Sequence, residues 1–179
     1  GASARPNLPY RIEHVQILHP SDIPRFARLG VVASMQPTHC PSDRDAADRL
    51  WGKRCRYAYA WRSLLHSGAT LAFGSDCPVE TISPLVGIHA AVSRQRADEP
   101  HSAPWYPEES LSAEEALRAY TLGAAAASGE QRSKGSLAVG KLADMVVLSH
   151  DILAVAPQQI LRTAVEMTIV GGGVVYDRY

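Results

Sequence analysis

Four side chains of this sequence have the types and placement from which metal-assisted hydrolysis is built. His14 lies within the alternating run 10–19, Gln36 and His39 follow the apolar run that begins at Val31, and Asp76 follows the run 69–73. Imidazole nitrogen and carboxylate oxygen both ligate Zn²⁺ and similar divalent ions, so a histidine and an aspartate carried by neighbouring parallel strands could share one metal. Spacing alone is a weak signal, because single His and Asp residues are far more often ordinary loop or core groups. Cys40 stands beside His39, but sequence neighbours point apart and no orienting acid is in view for a thiol hydrolase. Cys77 reads as a small packing residue, and His66, His89, His101 and His150 fall on helix ends, a helix face or loops. Trp105-Tyr106-Pro107 either lines the mouth of a site or anchors a long loop.

The elements that must position these groups can be read from periodicity and stop signals. Residues 10–19 alternate as a short strand and end at Pro20-Ser21-Asp22; Ser21 then caps a helix whose apolar positions Ile23, Phe26, Ala27 and Leu29 run to Gly30. Residues 31–36 are continuously apolar up to Pro37, the texture of a strand buried on both faces, and so of a second strand parallel to the first. Helices are expected over 42–51 and 57–66, then a third strand over 69–73. The face Leu85, Ile88, His89, Val92, Arg96 predicts a helix ending near Ala97, followed by a polar loop over 98–107. Ser112 with Glu115 forms a capping box that opens a helix over 113–128, closed by Gly129. From Lys134 the texture changes to short strands over 145–148, 164–170 and 174–176, the last two joined by a tight turn at Gly171-Gly172-Gly173. Strands that alternate with helices place functional groups at the strands' C-terminal ends, which is where His14, Gln36, His39 and Asp76 fall.

Composition narrows the function classes. With 18 Lys+Arg against 18 Asp+Glu in 179 residues the formal net charge is zero, so the counterion release that drives non-specific nucleic-acid binding is missing and no nucleic-acid partner is expected. Three cysteines cannot close a disulfide framework. Residues 1–6 lack the charged and apolar stretches of a secretory signal, and no apolar run approaches the roughly 18 residues of a membrane helix. The expectation is a cytoplasmic protein without a membrane partner.

Five motifs in order then carry a resemblance: Arg11-Ile-Glu-His14, Met35-Gln-Pro-Thr-His39, Gly74-Ser-Asp-Cys-Pro78, Leu111-Ser-x-Glu-Glu-Ala116 and Lys134-Gly-Ser-Leu-x-x-Gly-Lys-Leu-Ala-Asp144. Together they resemble the amidohydrolase superfamily, most closely its YtcJ-type (amidohydrolase 3) branch. The resemblance implies an α/β fold: the last three strand-helix units of a (β/α)8 TIM barrel over residues 1–133, then a β-rich tail over 134–179 belonging to a composite β-sandwich. It implies that His14 and Asp76 are metal ligands, that Asp76 is also the general base, and that His39 and Gln36 contact substrate. A divalent metal such as zinc would activate water toward a non-peptide C–N bond, an amide or formamide, in a small molecule.

Departures from the family pattern matter as much. The family's His-x-His pair, its bridging lysine or acid and its strand-five histidine have no counterpart, and one His with one Asp leaves zinc short of the three protein ligands of an open catalytic site. A complete barrel needs about 250 residues. The expectation is therefore a C-terminal portion that is incomplete and inactive alone, with metal binding weak or absent, and whose cut sheet edges require a homo-oligomer or a separate N-terminal chain. The alternative is a non-catalytic remnant or interaction module that self-associates through those edges.

Overall fold

The computed structural model of the protein describes residues 8–99 and 101–179; the N-terminal residues 1–6 read above for a signal, and Pro100 of the polar loop, lie outside the described residues. Three short strands, β1 (Arg11–Glu13), β2 (Val32–Met35) and β3 (Leu71–Phe73), pair in parallel in the order β1-β2-β3. Between β1 and β2 runs α1 (Ile23–Leu29); between β2 and β3 run α2 (His39–Trp51), a 3₁₀ segment (Gly52–Tyr57) and α3 (Trp61–His66). After β3 come α4 (Pro84–Ser93), α5 (Ala113–Arg118) and α6 (Ala124–Ala127), then β4 (Met145–Leu148), α7 (Pro157–Ile160), β5 (Val165–Val170) and β6 (Gly173–Asp177). The second sheet is antiparallel, ordered β4-β5-β6. The α/β class and the change of texture after Lys134 are thus both present.

Burial explains the strand textures. β3 is buried throughout and β2 nearly so, as parallel strands covered on both faces must be, whereas β1 is exposed along its length at the sheet edge. The core beneath them joins Met35, Cys40, Tyr59, Trp61, Leu64, Phe73, Ile88 and Trp105. Its aromatic rings meet at tilted or edge angles, Trp61 to Phe73 at 5.9 Å and Phe73 to Tyr120 at 5.6 Å, contacts worth about 0.5–1.5 kcal/mol each beyond their area. Ile152 and Ile160, from beyond Lys134, are buried in the same core.

Five boundaries differ from the sequence reading, each for a physical reason. The helix expected from Tyr57 begins at Trp61, since Ala58 bridges Ile17 and Tyr59 turns left-handed at φ 50°. The expected strand over 10–19 pairs only from Arg11↔Val32 to Glu13↔Ser34; His14 and Val15 then turn left-handed at φ 67° and 46°, and Ile17 bridges Ala58 instead. His19, not Ser21, caps the turn before α1. The helix expected from Ser42 begins at His39, because a proline in a first helical turn removes an N–H that has no intrahelical partner anyway, so Pro41 is tolerated there. Finally, α4 stops at Ser93 rather than near Ala97, with Arg94 at φ 54°, since its side chain is drawn into the core.

The capped helix forms as expected. Ser112 N–H donates to Glu115 Oε2 at 2.7 Å and Glu115 N–H to Ser112 Oγ at 3.1 Å. Between α5 and α6 the helix widens into a π turn, Ala119–Gly123, where it meets β3: a Cβ on Gly123 would lie 1.9 Å from the Leu71 carbonyl oxygen, so only glycine permits this approach. The loop after α4 is anchored rather than open. Trp105 Nε1 donates to Asp48 at 3.0 Å and the buried Glu109 accepts from Ser63 N–H at 2.9 Å, which settles Trp105 as an anchor.

Glu115 is also gripped by Arg62, whose Nη1 and Nη2 donate to its two oxygens at 2.6 and 2.7 Å. That fork, against a smaller opposing effect of burial, holds the carboxyl down at about 2 from an ordinary 4.5. A depressed carboxylate stabilises the fold fully above pH 4.5 and loses that contribution as the pH falls toward 2. Urea unfolding followed across this window should show stability declining with acid, with a shallower slope in Arg62→Met; equal slopes would remove the ion pair from the account.

Candidate metal centre

Three strand ends converge at one point. β1 delivers His14, whose N–H donates to the Ser34 carbonyl at 2.7 Å, so the left-handed turn is pinned to β2. β2 leads into Gln36 and, after one turn, His39 at the first position of α2, its N–H bonded to the Gln36 carbonyl at 3.1 Å. β3 leads into Asp76, also left-handed at φ 57°, whose carbonyl accepts from Val79 at 2.8 Å.

The side chains close the site. His14, His39 and Asp76 each offer one ligand atom, and these atoms all lie within 4.8 Å of one another. Asp76 Oδ2 is 3.6 Å from His39 Nε2 and 4.0 Å from His14 Nδ1, both too long for hydrogen bonds. Two ligands each about 2.1 Å from a shared ion can stand up to ~4.2 Å apart, so each imidazole is spaced to share a cation with the carboxylate. The two rings stack at 5.7 Å between centroids with 12° between planes. His39 is 9% exposed, and its Nε2 is buried without a hydrogen-bond partner among the described residues. A polar atom left so costs about 1–3 kcal/mol, which a ligand at this point would offset. The donor set, two imidazoles and one carboxylate, suits zinc.

Gln36, expected to contact substrate, is 7% exposed, and its Oε1 lies 3.0 Å from His14 Nδ1. Gln36 therefore orients the His14 ring at Nδ1, the nitrogen that lies 4.0 Å from Asp76 Oδ2. Sequence reasoning placed His14 and Asp76 as ligands and missed that His39 stands equally close to the carboxylate. The signal was there: a helix starting at His39 rather than Ser42 turns its first residue into the site. The neighbouring Cys40 is fully buried and its thiol is pushed up to about 12, chiefly by burial, so it has no thiolate to offer.

Comparison with known proteins supplies the context. Residues 2–176 match the model of the Amidohydrolase family. The chain is 36% identical over 169 residues to YtcJ of Bacillus subtilis (strain 168), named as an amidohydrolase, covering 94% of this chain and 32% of that protein. It is 31% identical over 170 residues to an N-substituted formamide deformylase of Arthrobacter pascens, covering 94% of this chain and 31% of the relative. Among solved structures it resembles the atrazine chlorohydrolase TrzN of Arthrobacter aurescens TC1 complexed with zinc, at 25% identity and a TM-score of 0.65, covering 93% of this chain and 36% of that one. The chain spans about a third of the length of the curated relatives it matches.

Proposed function

This chain belongs to the amidohydrolase family, in its YtcJ-type branch, and from that premise we propose that it contributes one side of the active site of a metal-dependent hydrolase cleaving a non-peptide C–N bond, an amide or formamide, in a small molecule. One observation carries the reading. Two imidazoles and a carboxylate converge within 4.8 Å at the ends of three parallel strands, and His39 Nε2 has no hydrogen-bond partner among the described residues.

His14, His39 and Asp76 would hold the cation, which when bound supplies Lewis-acid charge to a carbonyl oxygen and acidifies water. Gln36 orients the His14 ring by its contact at Nδ1, the nitrogen that faces Asp76. Asp76 faces both imidazoles through Oδ2, and its carboxylate would take the proton of the attacking water and return it to the leaving amine. His39 and Gln36 border the space beside the cation where substrate lies. The described residues up to 133 would form the barrel part and 134–179 the sandwich segment. The exposed edge strand β1 and the exposed Val174, Val175 and Tyr176 of β6 are surfaces for a separate N-terminal chain or a second copy.

Zinc retained after dialysis, and formate released from a panel of N-substituted formamides, test the reading on the chain alone and mixed with the N-terminal segment of a family member. Stoichiometric zinc, with turnover on mixing, is the expected result. A chain that keeps no zinc and releases no formate in either condition overturns it and leaves the self-associating module.

A further inference from the structure

His14 depends on backbone that a chain does not adopt unsupported. It and the β-branched Val15 sit at φ 67° and 46°, a region that costs an L-residue about 1–2 kcal/mol and in which a β-branched residue is an outlier. Such strain persists only where the surroundings over-determine it.

The surroundings converge on one carboxylate. Asp43 lies one helical turn beyond His39 on α2, and residues four apart share a helix face. Its Oδ2 accepts from Gln16 Nε2 at 2.9 Å and from the Tyr59 hydroxyl. Gln16 Nε2 also donates to the Tyr59 hydroxyl oxygen at 3.3 Å, and Gln16 stands two residues past His14. The main chain repeats the link: Tyr59 N–H donates to the Gln16 carbonyl at 3.0 Å, and Ile17 bridges Ala58.

Tyr59 is a firm post for this junction. It is fully buried, and the guanidinium of Arg94 donates to its carbonyl at 2.9 Å and to that of Ala58 at 3.2 Å. Burial first, and then the bond to Asp43, push its hydroxyl well above the usual tyrosine range, so it stays a donor. A single carboxylate therefore ties the loop that carries His14 to the helix that carries His39, both against a residue fixed in the core.

We propose that Asp43 is a positioning residue: by joining Gln16 and Tyr59 it sets the separation and stacking of the His14 and His39 rings, so that both converge with Asp76 on one cation. This rests on the reading of the cluster as a metal site. Asp43 acts through the backbone on either side of it, on the loop after β1 and on α2, as partners behind the ligands of metal sites commonly do.

The test compares the wild-type chain with Asp43→Asn and with Gln16→Met, the latter at an exposed position. Three quantities are measured: zinc affinity by competition with a chromophoric chelator, the absorption spectrum of the Co²⁺ form, and through-space NMR contacts between the His14 and His39 rings in metal-free protein. Both variants should bind zinc about 10–100-fold more weakly, change the cobalt spectrum and weaken the ring-to-ring contacts. Unchanged affinity and unchanged ring contacts overturn the proposal, even where Tm falls, because a fall in Tm alone marks a structural role. A wild-type chain that binds no zinc overturns the metal reading instead, and the ring contacts in metal-free protein still decide whether Asp43 sets the histidine pair.

Discussion

Replacing Arg94 with methionine is expected to lower the unfolding free energy by about 3–5 kcal/mol. The side chain is fully buried, and its guanidinium lies 4.6 Å from the centre of the Trp61 ring. Its N–H groups donate to three carbonyls, of Ala58, Tyr59 and Trp105. The Ala58 and Trp105 carbonyls each lose a donor at a cost of about 1–3 kcal/mol, while the Tyr59 carbonyl keeps the Trp61 N–H, and the cation–π contact adds to the loss. Relief from burying the cation returns part of this, since burial is the largest influence on Arg94 and acts to lower its pKa. Arg94→Lys should recover little, because a point ammonium cannot span carbonyls that a planar fork reaches together. Arg94→Gly loses the same hydrogen bonds but escapes the left-handed strain that Arg and Met both carry at φ 54°, so a Gly variant more stable than the Met variant reads that strain directly. Urea unfolding measures all three. A Met variant within about 1 kcal/mol of wild type would sink the account.

The second large effect falls on the site. Asp76→Asn is expected to weaken zinc binding by at least the 10–100-fold that loss of an outer partner costs, while leaving the fold as stable as before. Asparagine keeps the shape and tolerates the left-handed φ of 57° at this position, so the substitution removes charge and little else. Asp76 is partly exposed and lies outside the core. Chelator competition for affinity and thermal unfolding for stability form the pair of measurements. Equal zinc affinity in the two proteins would remove Asp76 from the ligand set.

Much of this was legible before any coordinates. The apolar runs ending in Gln36 and Phe73 mark strands, the Ser112–Glu115 box marks a helix start, and both were located to within a residue or two. These features are local: a cap, a stop or a period is written within a few positions. Where the reading slipped, at 10–19, at Ser42 and at Ala97, the deciding contact came from elsewhere in the chain. Arg96 continues the periodic face of α4, yet Arg94 turns inward and ends the helix, because the carbonyls it satisfies belong to residues 35 and 36 positions away and to the anchored Trp105.

The sequence by itself determined the order of elements, the parallel strands and the residue types standing at their ends, since periodicity, caps and turn residues act over a few bonds. Only the tertiary structure decided how those ends are used. It turned His39 rather than Ser42 into the first residue of α2, brought its Nε2 to within 3.6 Å of Asp76 Oδ2, and set Gln36 against His14 across 22 residues. The physical reason is the same in each case: a ligand set is a matter of ångströms between strands, and that spacing is set by packing of side chains far apart in the chain, Asp43, Tyr59 and Arg94 among them.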